Sequence, residues 1–236
     1  MKVIVRDEFW ELFPKAEIGL LVAKGLNNQV DEEKDPFFAE MLQAAAKKAE
    51  QFIQEEPFTQ NEVIKEWREA FSTFKTKKGA RSSIEALLKR VSQGRTFSPI
   101  NPLVDIYNSV SLAYGVPCGG EDLAKIEGDL QLGKAKGGES FFPLGAESDA
   151  PALADEICYV DDAGAVCRCF NWREAERTML TEETTDAILV IESINVHQAE
   201  RMHQGLEELQ KQVEAYFGVE TEMIYLTAEN PQVELV

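Results

Sequence analysis

The chain has 236 residues, a formal net charge of −18 and a hydrophobic content of 44%. This length can bury a sizeable core in one large domain or two small ones. The acidic charge argues against DNA as a partner. No apolar run approaches the roughly 20 residues of a membrane helix, so we also expect no membrane partner.

The cysteines and histidines give no sign of a metal or a cofactor. The four cysteines lack CxxC spacing, and His197 and His203 are six residues apart with no cysteine nearby. There is no glycine-rich nucleotide motif and no HExxH motif, so the sequence predicts no cofactor and no metal. The start MKVIVRDEFW has no apolar segment behind basic residues, which together with reduced thiols indicates a cytoplasmic protein.

The N-terminal sequence predicts two strands, at residues 2–5 and 17–23, followed by helices. Asp35 precedes a proline at the start of an apolar repeat with helical spacing, which is typical of a helix N-terminus. Capping boxes at residues 59–62 and 82–85 would begin two further helices. We therefore expect a mostly helical N-terminal region.

From residue 98 the pattern changes to one helix and then mainly strands. Asn101 is placed to cap a helix that Gly115 ends, and the backbone of the glycine-rich corner that follows can approach a ligand closely. Later elements are predicted at residues 129–135, 137–145, 156–160, 166–170, 187–191 and 222–226 (strands) and 197–217 (a helix), before a frayed tail. Helices first and strands later indicate an α+β fold.

The segment 187–191 is a continuous apolar run, so we expect a strand buried on both faces. Glu192 follows directly, and a carboxylate is costly to bury there unless it meets a cation or strong donors. The alternative is that the strand has reached solvent. Polar side chains that recur at element ends, and that could together hold a small zwitterion, are Asn108, Asp122, Asn171, Arg173, Glu176 and Glu192. Asn108 could instead bond loop backbone, and Asp122 could cap a short helical turn.

Residues 75–95 form a basic island on an acidic chain. Seven basic side chains stand there against Glu85 alone, so this window carries +6 and the remainder of the −18 chain carries −24. Such an island can steer an anionic partner to one face of a protein while the acidic body repels it elsewhere. The alternative is an ordinary solvated helix face.

Residues 98–193 resemble the B3/B4 domain of the phenylalanyl-tRNA synthetase β subunit, in its free-standing bacterial form. The resemblance is carried by segments that keep their order and spacing: PLVDIYNSVSLAYGVPCGGEDL, GDLQLGKAKGGESFFPLG, EICYVDDAGAVCRCFNWRE and TEETTDAILVIES. It implies an α+β fold with a layered, β-sandwich-like core in residues 98–236. The mostly helical residues 1–97 would be an added region packed on that core.

In the synthetase this domain is a hydrolytic editing site. The resemblance therefore implies an aminoacyl-tRNA deacylase that acts in trans on mischarged tRNA, in translation quality control. Asn108 matches an asparagine of the family's editing pocket, and Glu192 matches the glutamate that contacts the bound amino acid. Asp122 matches the aspartate of the family's GxPxHxFD segment, which reads GVPCGGED here, so Gly119 stands where the synthetase has histidine.

If the chain is such a deacylase, we expect the following roles for the polar residues named above and their neighbours. Glu192 would bind the α-ammonium group, while Asn108 and Asn171, also assigned to catalysis, would orient the ester or the water. The substrate-binding residues would be Gly119, Asp122, Trp172, Arg173 and Glu176. Arg173 would face the terminal phosphate or the carbonyl, and Trp172 would wall the side-chain pocket. If they face inward, Asp122, Glu176 and Glu121 would favour a cationic side chain. The residues that would contact tRNA phosphates are Lys75, Lys77, Lys78, Arg81, Lys89 and Arg90.

Two other functions are compatible with the sequence. A non-catalytic RNA- or amino-acid-binding module, acting as a sensor or adaptor, would bind without deacylation. A structural scaffold would use its acidic surface for a protein partner, with the polar positions only capping loops. A structure can separate the scaffold from the other two functions. If Asn108, Asp122, Asn171 and Glu192 are scattered and do not converge on one cleft, the scaffold is favoured.

Overall fold

The computed structural model describes residues 1–235 as two facing β-sheets with helices outside them. The strands are β1 Lys2–Val5, β2 Glu17–Ala23, β3 Cys118–Asp122, β4 Leu130–Lys134, β5 Ile157–Asp161, β6 Gly164–Arg168, β7 Arg173–Glu174, β8 Ala187–Ser193, β9 Thr221–Leu226 and β10 Gln232–Glu234. The helices are α1 Asp7–Leu12, α2 Asp35–Ala49, α3 Glu62–Ser72, α4 Ser83–Ser92, α5 Pro102–Tyr114 and α6 Val196–Phe217. The fold is α+β, with a layered, sandwich-like core.

The four-stranded sheet has the order β3-β8-β2-β9 and is antiparallel throughout. All seven residues of β8 are buried, which confirms the prediction of a strand covered on both faces. Because side chains alternate along a strand, Leu189 and Ile191 join the cluster that includes α5 and α6, whereas Ile188 and Val190 join the core between the sheets. Glu192 shares the parity of Val190 and therefore faces the other sheet.

The six-stranded sheet has the order β10-β1-β4-β5-β6-β7, with β1 parallel to β4. The prediction of a frayed tail was wrong, because β10 pairs antiparallel with β1 in the register Val3↔Val233. Val233 and Leu235 also pack against the core, which adds apolar burial to the backbone pairing. Residues 1–97 thus supply one strand to each sheet, in addition to α1–α4.

The predicted strand at residues 137–145 was wrong. Gly137 and Gly138 have φ angles of 93° and 94°, outside the range that strand residues adopt. A Cβ at Gly137 would lie 2.9 Å from the Ala154 backbone nitrogen, so the chain turns here against a neighbouring loop.

Among the predicted helix caps, that of α5 is confirmed. Asn101 accepts a hydrogen bond from the Val104 N–H over 3.1 Å, and Gly115 ends the helix with a φ angle of 64°. The cap predicted at Asp35 was wrong, since Asp31 caps the short turn ahead of α2 instead. The capping boxes at residues 59–62 and 82–85 were also wrong, because Asn61 and Ser82 occupy the cap positions of α3 and α4 without a capping side-chain bond.

Helices α3 and α4 pack against the core between the sheets. Trp67 and Ile84 are buried in the core between the sheets, and the Trp67 ring lies 5.6 Å from that of Phe170. Large aromatic side chains contribute much of the apolar area of such a core. In the part of the chain that the structure covers, no helix is both long and apolar enough to cross a membrane.

Candidate functional site

A pocket of about 460 Å³ lies between the two sheets. Strands β3 and β8 contribute one wall, strands β5, β6 and β7 the other, and α4 and α5 supply further lining residues. Pockets of this volume suit small ligands such as amino acids. The alternation of side chains along β8 aims Glu192 into this pocket.

Glu192 is buried and held by donors from the opposite wall. It is 3% exposed, and its Oε1 accepts a hydrogen bond from the Tyr159 hydroxyl over 2.9 Å while Oε2 accepts one from Asn171 Nδ2 over 3.3 Å. Burial raises the pKa of Glu192 to about 8, although both donors act to lower it. The alternative of a strand that has reached solvent was therefore wrong, and the carboxyl group lacks a cation that would favour its charged form.

Two further carboxyl groups face the same pocket. Glu174 Oε1 accepts a hydrogen bond from the Gly120 N–H over 3.4 Å, and burial raises the pKa of Glu174 to about 7. Glu121 is 5% exposed, and its pKa is raised well above the ordinary value by burial and then by the charge of Glu174. Among residues 1–235, Oε2 of Glu121 has no hydrogen-bond partner. Three carboxyl groups thus share the pocket, and none of them forms an ion pair within residues 1–235.

The thiol and hydroxyl groups that burial affects in this pocket are neutral. Burial raises the pKa values of the Cys118 and Cys167 thiols well above the ordinary range, and it does the same for the Tyr107 and Tyr159 hydroxyls. A thiol must ionise to act as a nucleophile, so these cysteines are unsuited to covalent catalysis.

An irregular turn after β6 directs Asn171 into the pocket. Cys169 and Phe170 have φ angles of 47° and 65°, which non-glycine residues adopt only where the surroundings hold them. The Phe170 N–H bonds the Ile157 carbonyl over 2.6 Å, and the Cys169 N–H bonds Oε1 of Glu156 over 2.9 Å. Both bonds tie the turn to the six-stranded sheet and fix the position of the amide.

The sequence-predicted residues converge in large part. The structure brings six of them to the lining of this one pocket: Asn108, Gly119, Asn171, Trp172, Arg173 and Glu192. They come from α5, from β3, from the turn after β6 with β7, and from β8. This convergence disfavours the scaffold, in which the polar positions would be scattered.

A B3/4 domain profile matches residues 66–219. The chain belongs to the B3/4 domain family. It is 34% identical over 119 residues to the phenylalanine–tRNA ligase β subunit of Nocardia farcinica, which is 49% of this chain and 14% of that protein. It is also 34% identical over 98 residues to the corresponding subunit of Novosphingobium aromaticivorans, covering 39% of this chain and 11% of that protein. The chain therefore spans a small part of the length of these relatives.

Among solved structures, the chain aligns with an N-terminal fragment of the phenylalanyl-tRNA synthetase β subunit from Pyrococcus horikoshii. It covers 94% of this chain and 53% of the fragment, at 12% sequence identity and a TM-score of 0.46.

Two predicted substrate-binding residues lie outside the pocket of this B3/4 domain. Asp122 is buried, but its Oδ1 accepts from the Ala124 N–H over 3.0 Å and its Oδ2 from the Thr184 hydroxyl over 2.9 Å. Its assignment to the substrate was therefore wrong, and the alternative of a turn cap is confirmed. Glu176 is exposed and is absent from the pocket lining, because β7 ends at Glu174 and the chain leaves the sheet there.

Glu174 and Tyr159 were not among the predicted site residues. Glu174 belongs to a two-residue strand, too short for any periodic signal, and Tyr159 sits in an apolar hairpin where a core role is the ordinary reading. Glu121 was expected to matter only if it faced inward, which it does.

The basic island of the B3/4 domain lies largely in solvent. Lys75, Lys77, Lys78, Arg81 and Arg90 are exposed and Lys89 is partly buried. Arg90 also lines the pocket, and its Nη2 bonds the Thr96 carbonyl over 3.0 Å. Arg68 binds Glu85, the single acid of the island, at 2.6 Å, so that acid is neutralised locally.

One group of side chains elsewhere could bring metal ligands together. Glu62, Glu66 and His197 each place one ligand atom within 4.8 Å of the others. However, Glu66 already accepts hydrogen bonds from Asn195 and Gln198, at 2.8 and 2.9 Å. These bonds give Glu66 a structural role at the start of α6.

Proposed function

We propose that this protein is an aminoacyl-tRNA deacylase, which hydrolyses the ester of mischarged tRNA in trans. The observation that supports the proposal most is the convergence of Asn108, Asn171 and Glu192 on one pocket from distant parts of the chain. Membership of the B3/4 domain family supports the choice of reaction, because the sequence resembles an editing domain of that family.

In the proposed complex, Glu192 binds the α-ammonium group of the amino acid. An incoming cation favours the ionised form of a carboxyl group, so Glu192 would lose its proton as the ligand arrives. Tyr159 and Asn171 already donate to both of its oxygens and fix their direction. The carboxylate thus sets where the α-carbon and the neighbouring ester carbonyl lie.

The proposed reaction is attack of water on the ester carbonyl carbon. The bond from that carbon to the ribose oxygen breaks, the water proton passes to the ribose oxygen, and the products are a free amino acid and a deacylated tRNA. An aminoacyl ester is already activated, so orienting a water beside the carbonyl supplies much of the rate. We assign this orientation to Asn108 and Asn171, with help from the neighbouring ribose hydroxyl.

The remaining residues shape the ends of the pocket. Trp172 would wall the amino-acid side chain, and the exposed Arg173 would meet the terminal phosphate or the carbonyl oxygen. The basic island would contact tRNA phosphates beyond the pocket. The absence of a side chain at Gly119 leaves space that Glu174 occupies.

The decisive experiment measures ester loss from a panel of charged and mischarged tRNAs incubated with the protein. Glu192→Gln and Asn108→Ala should fold normally, as judged by circular dichroism, and should slow release by about a hundredfold. Glu127→Gln, an exposed carboxyl group outside the pocket, serves as the matched control and should keep the full rate. Unchanged rates in both pocket variants would exclude the assigned roles.

The second candidate is a non-catalytic binder of amino acids or RNA. The observation that favours it is that none of the described residues lining the pocket is a histidine, while the cysteines there are neutral. This function predicts saturable binding of charged tRNA with no ester loss on any member of the panel.

A further inference from the structure

The pocket contains more carboxyl groups than an α-ammonium group requires. Glu192 accounts for that group under the proposed function, which leaves Glu121 and Glu174. The charge of Arg177 acts to lower the pKa of Glu121, but Arg177 is itself paired with Asp161. The two arginines that line the pocket, Arg90 and Arg173, are exposed. None of the ion pairs found among residues 1–235 involves any of these three carboxyl groups. Buried carboxylates are costly unless a cation or several donors compensate them. The missing positive charge is therefore a property expected of the ligand.

The strand register places the carboxyl groups in a row. Gly119 pairs with Val190, two residues from Glu192 along β8, and Glu121 pairs with Ile188, two residues further on. Each step of two residues advances about 6.6 Å along a strand. Glu174 reaches the row at Gly119 from the opposite sheet, so its carboxyl group lies between those of Glu192 and Glu121.

Gly119 is what allows Glu174 to occupy this position. A Cβ at residue 119 would lie 2.8 Å from Oε1 of Glu174, closer than real contacts of this kind. With glycine there, the carboxyl group lies against β3 and accepts the Gly120 N–H. The inward position of the Glu174 carboxyl group therefore depends on glycine at residue 119.

We infer that the amino acid taken by this pocket has a positively charged side chain, which Glu174 and Glu121 bind while Glu192 binds the α-ammonium group. The inference rests on the proposed function for the identity of the ester, but the presence of the three carboxyl groups in the pocket is independent of it. Glu174 lies at the level of Gly119 and Val190, which is two residues along β8 from Glu192. A basic side chain extends several bonds beyond the α-carbon, so it could reach Glu174 while the α-ammonium group stays at Glu192. The planar guanidinium of arginine can also meet a carboxylate through two parallel hydrogen bonds.

The first test compares esters that differ only in side-chain charge. One tRNA is acylated with arginine or with citrulline, whose urea group matches the guanidinium in shape, and with lysine or with norleucine. We expect the charged member of each pair to be hydrolysed about ten- to a hundredfold faster, which is the value of a charge-assisted hydrogen bond. Equal rates, or faster loss of the neutral esters, overturn the inference and leave the deacylase function standing.

Binding separates a failure of the inference from a failure of the proposed function. If no ester is hydrolysed, the deacylase function fails, and titration calorimetry with argininamide and citrullinamide then decides on the pocket alone. If argininamide binds at least about tenfold more tightly than citrullinamide, the result supports a site for a cationic side chain. Equal affinity overturns it.

The roles of Glu174 and Glu121 are tested by one ratio, measured in each variant. It is the hydrolysis rate of the arginyl ester divided by that of the citrullinyl ester, or the affinity for argininamide divided by that for citrullinamide. Glu174→Gln and Glu121→Gln should each reduce this ratio toward one, whereas Glu127→Gln should keep the wild-type ratio. Because Glu121→Gln changes a buried group, Gly119→Ala provides a second route, since its Cβ displaces the Glu174 carboxyl group. A wild-type ratio in folded Glu174→Gln and Gly119→Ala contradicts the assignment.

Discussion

Tyr159 donates its hydroxyl hydrogen to Oε1 of Glu192 over 2.9 Å, and this bond joins the six-stranded sheet to the four-stranded sheet across the pocket. The bond acts to lower the pKa of Glu192, against the larger effect of burial. The Tyr159 hydroxyl therefore favours the ionised form of Glu192, which is the form that would bind an ammonium group.

Tyr159→Phe should raise the pKa of Glu192 above its value of about 8, because one donor to the carboxylate is lost. The pH at which binding of an amino-acid amide reaches half its maximum should rise accordingly. The measurement is a titration of Glu192 by carbon NMR, with binding followed in parallel. Tyr225→Phe removes a hydroxyl that donates to the Met223 sulfur outside the pocket and serves as the control. An unshifted titration would contradict the role of this bond.

Glu192 should make the unliganded protein less stable as the pH rises. Its pKa is about 8 in the folded state, against about 4.3 for an unperturbed glutamate, so between these values the folded protein binds more protons than the unfolded chain. The free energy of unfolding therefore falls as the pH rises through this window.

Glu192→Gln removes this loss, so the variant should be more stable than the wild type at pH 9 by about 2–5 kcal/mol and close to it near pH 4. Urea unfolding at several pH values provides the measurement. Glu127→Gln is exposed and should follow the wild-type curve. If Glu192→Gln also ran parallel to the wild type, Glu192 would not carry the raised pKa.

The basic island should contribute to tRNA binding through phosphate contacts. Replacing Lys77, Lys78 and Arg81 together with alanine should weaken tRNA binding and reduce the slope of log affinity against log salt by about 2–3. Cleavage of a minimal aminoacyl ester should be unchanged, because these side chains do not line the pocket.

The matched control replaces the exposed Lys47, Lys48 and Lys211, which makes the same change in net charge elsewhere on the protein. The salt slope should then stay near the wild-type value. An equal loss on the tRNA and on the minimal ester, or an equal effect of the two triple variants, would reject the island as a tRNA-binding surface.

A buried ion pair should hold the turn that carries Asn171. Arg168 Nη2 lies 2.6 Å from Oε2 of Glu156, with side chains 2% and 0% exposed. Arg168→Met would leave the Glu156 carboxylate buried without its cation, so we expect a loss of about 3–5 kcal/mol in urea unfolding. Lys34→Gln breaks an exposed pair with Asp31 and should cost under about 1 kcal/mol. Similar losses in both variants would show that burial of the pair is unimportant.

The sequence predicted those elements whose signal is local and strong. The apolar run of β8 and the cap at Asn101 were predicted correctly because burial and capping chemistry act over a few residues. The tail failed because β10 depends on pairing with β1, more than 220 residues away in sequence. Such pairing leaves no trace in the local pattern of so short a strand. The segment 137–145 failed because its glycines turn the chain against Ala154.

The residues of the candidate site also differ in whether a local pattern or the fold reveals them. Asn108 and Glu192 could be named from family resemblance and Asn171 from its place at the end of a strand, and their shared pocket needed the fold. Asp122 matches a family position, yet here its oxygens are bound by Ala124 and Thr184. Glu174 has no strong local signal, since its inward direction depends on the space that Gly119 leaves on another strand.

The position of β2 between β8 and β9 has a practical consequence for dissecting the molecule. The stretch that matches the family profile, residues 66–219, contains β8 but lacks β2. Expressed by itself, it would leave the N–H and C=O groups along one side of β8 without the partners that β2 now supplies from Glu17 to Ala23. An unpaired apolar edge of this kind promotes aggregation. Minimal versions of the protein should therefore retain its first two dozen residues.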